Sequence, residues 1–251
     1  MPMNRWFSVL LLVAACFHPS SWAALEKGDT VLITGANRGI GLEMARQLTA
    51  RGVNVIGTAR KPAEATELKA LGARVEQLDV IDERSVDALA QRLDGVVIDL
   101  LINNAGVSGG RSSGIEELDF NDMAFTFNVN AYGPMRVTQA LLDNLKAGET
   151  RQVVNVSSML GSIAMNEGGL YAYRASKTAL NSLNKTLAKE LGGQGFTVVV
   201  VHPGWVKTRM GGASAPVEVK DSVAGLIGVI DALTPASNGK FIDFQGEELP
   251  W

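Results

Sequence analysis

One cysteine and two histidines among 251 residues leave little room for two common kinds of chemistry. A single thiol, Cys16, cannot form an intrachain disulfide, and His18 and His202 give no recognisable metal cluster. Positive charge is not in excess either. With 23 Lys and Arg against 26 Asp and Glu, the net charge of -3 lacks the basic footprint that nucleic acid or a strongly anionic membrane asks for. A small-molecule partner fits better. There is no repeat of solenoid type and no low-complexity linker, so the chain reads as one folding unit rather than an array. What is present is 46% apolar residues, 20% charged and 27 glycines, which suits one compact α/β domain whose stability comes from packing.

The first 23 residues form a separate segment, with the domain proper at 24–251. Met1 to Arg5 carries one positive charge, Trp6 to Phe17 is mostly apolar, and Ser21-Trp22-Ala23 places small residues where a signal peptidase reads. This predicts a secretory signal cleaved after Ala23. The apolar run is about a dozen residues, short of the ~20 that span a bilayer, so no spanning segment is expected. Two other readings stay open. Val13-Ala14-Ala15-Cys16 resembles a lipobox, which would lipidate Cys16, and the segment could equally be a misassigned start or an uncleaved helix on a cytoplasmic enzyme.

From Asp29 onward, short β-branched runs alternate with helical patterns. Strands are expected at Thr30–Thr34, Asn54–Ala59, Arg74–Leu78, Asp99–Asn103, Gln152–Ser157, Thr197–His202 and Lys240–Phe244. Helices are expected at Ile40–Arg51, Pro62–Leu71, Glu83–Leu93, Asp122–Asn144, Tyr171–Gly192 and Val217–Ala232. Such alternation implies a doubly wound, mainly parallel sheet of Rossmann type in three α/β/α layers. Ser108 to Gly114 reads as a loop.

Two constellations stand out on that frame. In Tyr173-Arg174-Ala175-Ser176-Lys177 a phenol and an ammonium lie four residues apart on one helix face. A free phenol has a pKa of about 10, and a fixed cation nearby favours the phenolate, making Tyr173 a usable general acid or base. In Thr34-Gly35-Ala36-Asn37-Arg38-Gly39-Ile40-Gly41 a glycine-rich turn joins the first strand to the first helix, where a pyrophosphate would meet backbone N–H groups and a positive helix end. At the end of the second strand, Thr58-Ala59-Arg60-Lys61 has no acid to hold an adenosine ribose. Arg60 instead offers a guanidinium fork for a 2'-phosphate, with Arg38 closing from the turn, which favours NADP over NAD.

With TGANRGIG, Asn103-Asn104-Ala105-Gly106, the Ser157-Ser158 pair, YRASK, and Pro203-Gly204 in this order, the sequence resembles the short-chain dehydrogenase/reductase family from Asp29 to Trp251. SSMLGSI, YAYRASKTALN, HPGWVKTRMGG and the tail GKFIDFQGEELPW look like the branch of sniffer-type carbonyl reductases and C-factor-like proteins. The resemblance implies that Tyr173 gives a proton to a carbonyl oxygen, that Lys177 lowers its pKa while holding the ribose hydroxyls, and that Ser158 hydrogen bonds the same carbonyl. Asn130 would anchor a relay water, Thr208 the nicotinamide carboxamide, and Asp79-Val80 the adenine. Asn104, Ala105 and Gly106, with Pro203, Gly204 and Val206, would line the cofactor cleft. A homodimer through the helices carrying Asn130 and Tyr173 is implied as well. Ser157 and Asn128 are the rivals of Ser158 and Asn130. Tyr171, with no lysine four residues on, reads as packing, and Trp205 as a lid or core aromatic. Arg209 departs from the family, standing where an acid is expected, and the lid between Thr208 and Val217 is short.

Three functions remain in play: an NADPH-dependent reductase of small aldehydes or ketones, the reverse oxidation of alcohols with NADP, and a cofactor-bound signalling protein of C-factor type. Export conflicts with the first. Asn4-Arg5 is not the twin arginine that passes folded proteins, and an unfolded chain could not carry a cytoplasm-loaded cofactor with it.

Overall fold

The computed structural model describes residues 24–110 and 114–251. The N-terminal export pattern with Cys16, and the centre of the Ser108–Gly114 loop, lie outside the described residues.

Seven strands form one parallel sheet: β1 (Thr30–Ile33), β2 (Asn54–Ala59), β3 (Arg74–Gln77), β4 (Leu100–Asn103), β5 (Gln152–Val156), β6 (Thr197–His202) and β7 (Phe241–Asp243), in the order β3-β2-β1-β4-β5-β6-β7. The pleat sends alternate residues of each apolar run to opposite faces. Val31 and Ile33 join one core layer and Leu32 the other. The first layer is covered by α1 (Gly39–Ala50) through Met44, Ala45 and Leu48, by α2 (Thr66–Ala70) through Leu68, and by α8 (Val219–Asp231) through Val223, Leu226 and Ile230. The second is covered by α3 (Glu83–Arg92) through Val86 and Leu89, by α5 (Gly133–Ala140) and α6 (Leu142–Lys146) through Val137 and Leu145, and by α7 (Tyr171–Gly192) through Ala188 and Leu191. A strand buried on both faces needs such near-continuous hydrophobic runs. Each fully buried Leu, Ile or Val contributes roughly 1.5–3 kcal/mol of transfer free energy.

The expected doubly wound three-layer fold is therefore observed, with two local differences. The helix read over Asp122–Asn144 starts earlier, as α4 (Phe120–Phe127), whose end N–H groups are capped by the Asp119 carboxylate. It then widens into a π-helical turn at Asn128–Tyr132 before α5 and α6. A π turn inserts one residue and rotates the helix beyond it, which a 3.6-residue periodicity cannot register. The pattern over Pro62–Leu71 is likewise split into a 3₁₀ turn at Pro62–Glu64 and α2.

Strand order reverses between β1 and β4, and in sheets of this kind ligands bind outside the carboxyl ends of the strands at that switch point. Thr34, one residue past β1, ties the two together there: its hydroxyl accepts from the backbone N–H groups of Asn104 (3.0 Å) and Ala105 (3.0 Å).

Candidate active site

The glycine turn is held from two sides. The Ala36 N–H donates to the Thr58 carbonyl (2.9 Å), and the Asn104 amide donates to the carbonyls of Thr34 (2.9 Å) and Gly35 (3.2 Å). Gly35 has φ +65°, and a Cβ there would sit 3.1 Å from the Ala105 Cα. At Gly41 a Cβ would meet the Asn104 amide nitrogen at 2.5 Å and the Gly35 carbonyl at 2.6 Å, so only glycine lets α1 start this close to the turn. Asn37, Arg38, Gly39 and Ile40 complete a turn whose helix begins without a side-chain cap, leaving N–H donors and a positive helix end free for an anion. Thr208 lies above it, its methyl 3.7 Å from where a Gly39 Cβ would be.

Arginines rim this cradle. Arg38 is exposed, yet partial burial and the neighbouring charges of Arg209 and Arg60 make its guanidinium easier to deprotonate than an ordinary arginine. None of the three pairs with a carboxylate among the described residues. The sequence flagged Arg209 only as a misfit at the substrate mouth. The structure puts it beside Arg38, as part of one uncompensated cationic rim. Asp79, past the end of β3, donates its N–H to the Ser85 hydroxyl (2.8 Å), and Val80 packs beneath Gly133. Gly106 follows β4, with Asn130 Oδ1 3.3 Å and Lys177 Nζ 3.8 Å from its would-be Cβ. Past β6, the Pro203 carbonyl accepts from Ser222 (2.6 Å), Gly204 turns at φ +84° beneath Phe244, and Val206 bridges to Val217.

The proton-handling groups converge at the carboxyl ends of β4 and β5. Ser158, just past β5, stands near enough to the Tyr173 phenol to favour its ionised form, and accepts from the Leu160 N–H (3.2 Å). Lys177 is buried, donates to the Val156 carbonyl (2.7 Å), and stands 5.9 Å from the centre of the Tyr173 ring. Burial lowers its pKa to about 8. Tyr173 as a whole is half-buried, but its hydroxyl end sits deep enough that burial raises its pKa, and the nearby Ser158 offsets this only in part. The net effect of the surroundings is thus to favour the protonated phenol. Ser157 points elsewhere: its hydroxyl donates to Asn181 (2.7 Å) in the interior.

Asn130, on the π turn, is fully buried and its side chain is spent. The Oδ1 accepts from the Val107 N–H (2.9 Å), while Nδ2 donates to the Val107 carbonyl (2.8 Å) and the Ser176 hydroxyl (3.0 Å). Ser176 in turn donates to the Tyr173 carbonyl (2.8 Å), so one chain of bonds runs from the β4 loop to the start of α7. Sequence reasoning passed over Ser176 although it stands inside YRASK. It also passed over the buried ladder Asn103–Asn155–Asn184, with Nδ2···Oδ1 distances of 2.8 and 2.8 Å, whose signal is asparagine at or near the ends of the apolar β4 and β5 and within α7. Trp205 is no core residue: it is exposed, with its indole N–H on the Gly211 carbonyl (2.8 Å). Tyr171, read as packing, is 41% exposed.

Residues 29–218 match the short chain dehydrogenase model. The chain is 50% identical over 155 residues to the C-signal of Myxococcus xanthus, covering 61% of this chain and 93% of that protein. It is also similar to two solved structures at 33% identity. The NADPH-bound carbonyl reductase from chicken fatty liver has a TM-score of 0.83, over 90% of this chain and all of that one. The carbonyl reductase Sniffer of D. melanogaster has a TM-score of 0.84, over 89% and all. With the glycine cradle at the switch point and Ser158, Tyr173 and Lys177 gathered beside it, the chain belongs to the short-chain dehydrogenase/reductase family, on the side of its sniffer- and C-signal-like members.

Proposed function

We propose that this protein is an NADPH-dependent reductase of small aldehydes and ketones. The observation that carries the reading is the convergence of Ser158, Tyr173 and Lys177 on one edge of the glycine cradle. The cradle fits a dinucleotide: glycines stand where a side chain would collide, the helix start is uncapped, and Arg38, Arg60 and Arg209 offer unpaired positive charge for a 2'-phosphate. NADPH, when bound, supplies the hydride.

The chain's own residues handle the rest. As hydride reaches the carbonyl carbon, the C=O π pair moves onto oxygen, and the Ser158 hydroxyl and Tyr173 phenol are aimed donors for that charge. Tyr173 then passes its proton to the oxygen, leaving a phenolate. Lys177, with a pKa of about 8, is a nearby cation that stabilises the phenolate and can return a proton. Asn130 acts here by position: with both ends of its amide committed, a relay water would be held through the π turn's main chain.

The same residues would serve alcohol oxidation with NADP in the reverse direction. The short lid, with Met210 exposed upon it and Trp205 exposed just before it, suits carbonyls of no tight size class. The resemblance to C-signal keeps a signalling reading beside this one. Tyr173→Phe separates them: it should cut carbonyl reduction by about 10³-fold or more while NADPH binding stays within about twofold. A signalling activity surviving that change would overturn the enzyme reading.

A homodimer through α4, the π turn and α7 is part of this reading, supported by Phe120, Phe125 and Tyr132, which stand 73%, 42% and 50% exposed on that side. Light scattering should give twice the chain mass; a monomer at micromolar concentration would refute it. The export segment, if it is one, sets the compartment. Among the described residues no helix is long and apolar enough to cross a membrane.

A further inference from the structure

Arg174 immediately follows the catalytic tyrosine but faces elsewhere. Positions 171, 174, 175 and 178 share a helix face (i, i+3, i+4, i+7), while Tyr173 and Lys177 lie on another. On the face that carries Arg174, α7 and the loop after β5 enclose a cleft of about 380 Å³, walled by Ile163, Tyr171, Ala175 and Thr178 and lined by Arg174. Arg174 is 9% exposed. Its Nε donates to the Gly168 carbonyl (2.9 Å), its Nη1 has no acceptor, and no carboxylate pairs with it among the described residues. Taking a guanidinium out of water without a counter-charge is costly, so the group is poised for an anion.

A second, independent feature lies at the same place. Gly168 and Gly169, which line the cleft, run at φ +86° and +68° into Leu170, itself at φ +48° and ψ +45°, and Leu170 starts the 22-residue α7 with no side-chain cap. With no side-chain cap, the first N–H groups of a long helix and its positive end are left without a partner beside residues that line the cleft. The buried cation and the uncapped helix end both ask for negative charge.

We propose that this cleft is a binding site for a small carboxylate with an apolar body, separate from the catalytic cleft. With Nε held by Gly168 and Nη1 closed off from solvent, the guanidinium has room for a single carboxylate oxygen rather than a two-point clamp. The neighbouring loop residue Glu167, exposed and unpaired with Arg174, disfavours a dianion such as phosphate. Ile163, 70% exposed, and the Tyr171 ring supply the apolar wall. The site does not depend on the reductase reading. It does share the loop that leads from Ser158 to the start of α7, so occupancy would brace the segment between two catalytic side chains.

Calorimetric titration of the whole chain, saturated with NADPH, with sodium benzoate and separately with benzyl alcohol tests this. Benzoate should saturate one site per chain and benzyl alcohol should not. Arg174→Gln should weaken benzoate at least tenfold, Glu167→Gln should tighten it several-fold, and Tyr173→Phe should leave it unchanged. Should Arg174→Gln fail to fold, as judged by far-ultraviolet dichroism, Ile163→Glu on the exposed wall should abolish binding in an intact protein. The proposal is overturned by the absence of saturable binding, by equal binding of the alcohol, by indifference to Ile163→Glu, or by loss on Tyr173→Phe, which would put benzoate in the catalytic cleft. It is equally overturned if a partner subunit covers the cleft and only the monomer binds.

Discussion

Ser157 and Ser158 are neighbours at the end of one strand and are set apart by what their hydroxyls touch. Ser158 meets the Tyr173 phenol, whereas Ser157 is committed to Asn181, whose own amide holds the Gly161 carbonyl (3.1 Å). Ser158→Ala should therefore lower kcat about 10²–10³-fold with little change in melting temperature. Ser157→Ala should leave kcat within a fewfold and cost about 1–2 kcal/mol in a denaturant titration, since it leaves a buried amide carbonyl without its donor. The reverse assignment of effects would place the wrong serine on the substrate. At this scale the sequence was most legible where spacing carries the chemistry: Tyr173 and Lys177 four apart, glycines at 35, 39 and 41, arginines at 38 and 60. It was least legible where a side chain's role depends on a distant partner. Nothing near Asn130 in the chain announces that Val107 and Ser176 will occupy both ends of its amide. Nor does the chain announce how deeply the Tyr173 hydroxyl is buried, which is a property of the assembled cleft.

Among the elements, strands β1 to β7 follow their β-branched runs to within a residue or two, because burial on both faces demands continuous apolar sequence. The π turn at Asn128–Tyr132 was not legible, since its stretch NVNAY keeps a helical composition and the extra residue is imposed by packing. Gly133 shows that packing: a Cβ there would lie 2.9 Å from Val80 Cγ2. His202, the last residue of β6, is buried beside Asp243 of β7 with its Nδ1 unpartnered. Burial lowers its pKa to about 4, the Asp243 charge offsetting this only in part. The unfolded imidazole takes up a proton from about pH 6.5 downward, while the folded one resists until about pH 4. Stability should thus fall as pH drops through that interval, by up to roughly 3 kcal/mol from this group. The difference between wild type and His202→Gln, measured by denaturant titration at pH 7 and pH 4.5, should show that slope. An identical pH dependence in both proteins would remove His202 from the account.

For the whole molecule, the decisive fact is that the sheet reverses its order between β1 and β4 and gathers the motif residues that follow β1, β4, β5 and β6 at the carboxyl end of its strands. The order of the motifs made the fold readable, and the fold then explains why residues as distant as Arg38 and Arg209 share a rim, a proximity no local pattern contains. On the proposed reading, that rim selects the cofactor. Arg60→Glu should raise KM for NADPH at least tenfold and leave KM for NADH nearly unchanged, since the 2'-phosphate is the only group that differs. An equal loss with both cofactors would mean Arg60 does not read the 2'-phosphate. The measurement that bears most directly on the central claim is the initial rate of NADPH oxidation by the purified chain with a panel of aldehydes, ketones and diones, run beside NADH and beside Tyr173→Phe. The account predicts turnover with several carbonyls, a clear preference for NADPH, and loss of turnover in the variant. NADPH binding without turnover, or turnover that survives Tyr173→Phe, would contradict it.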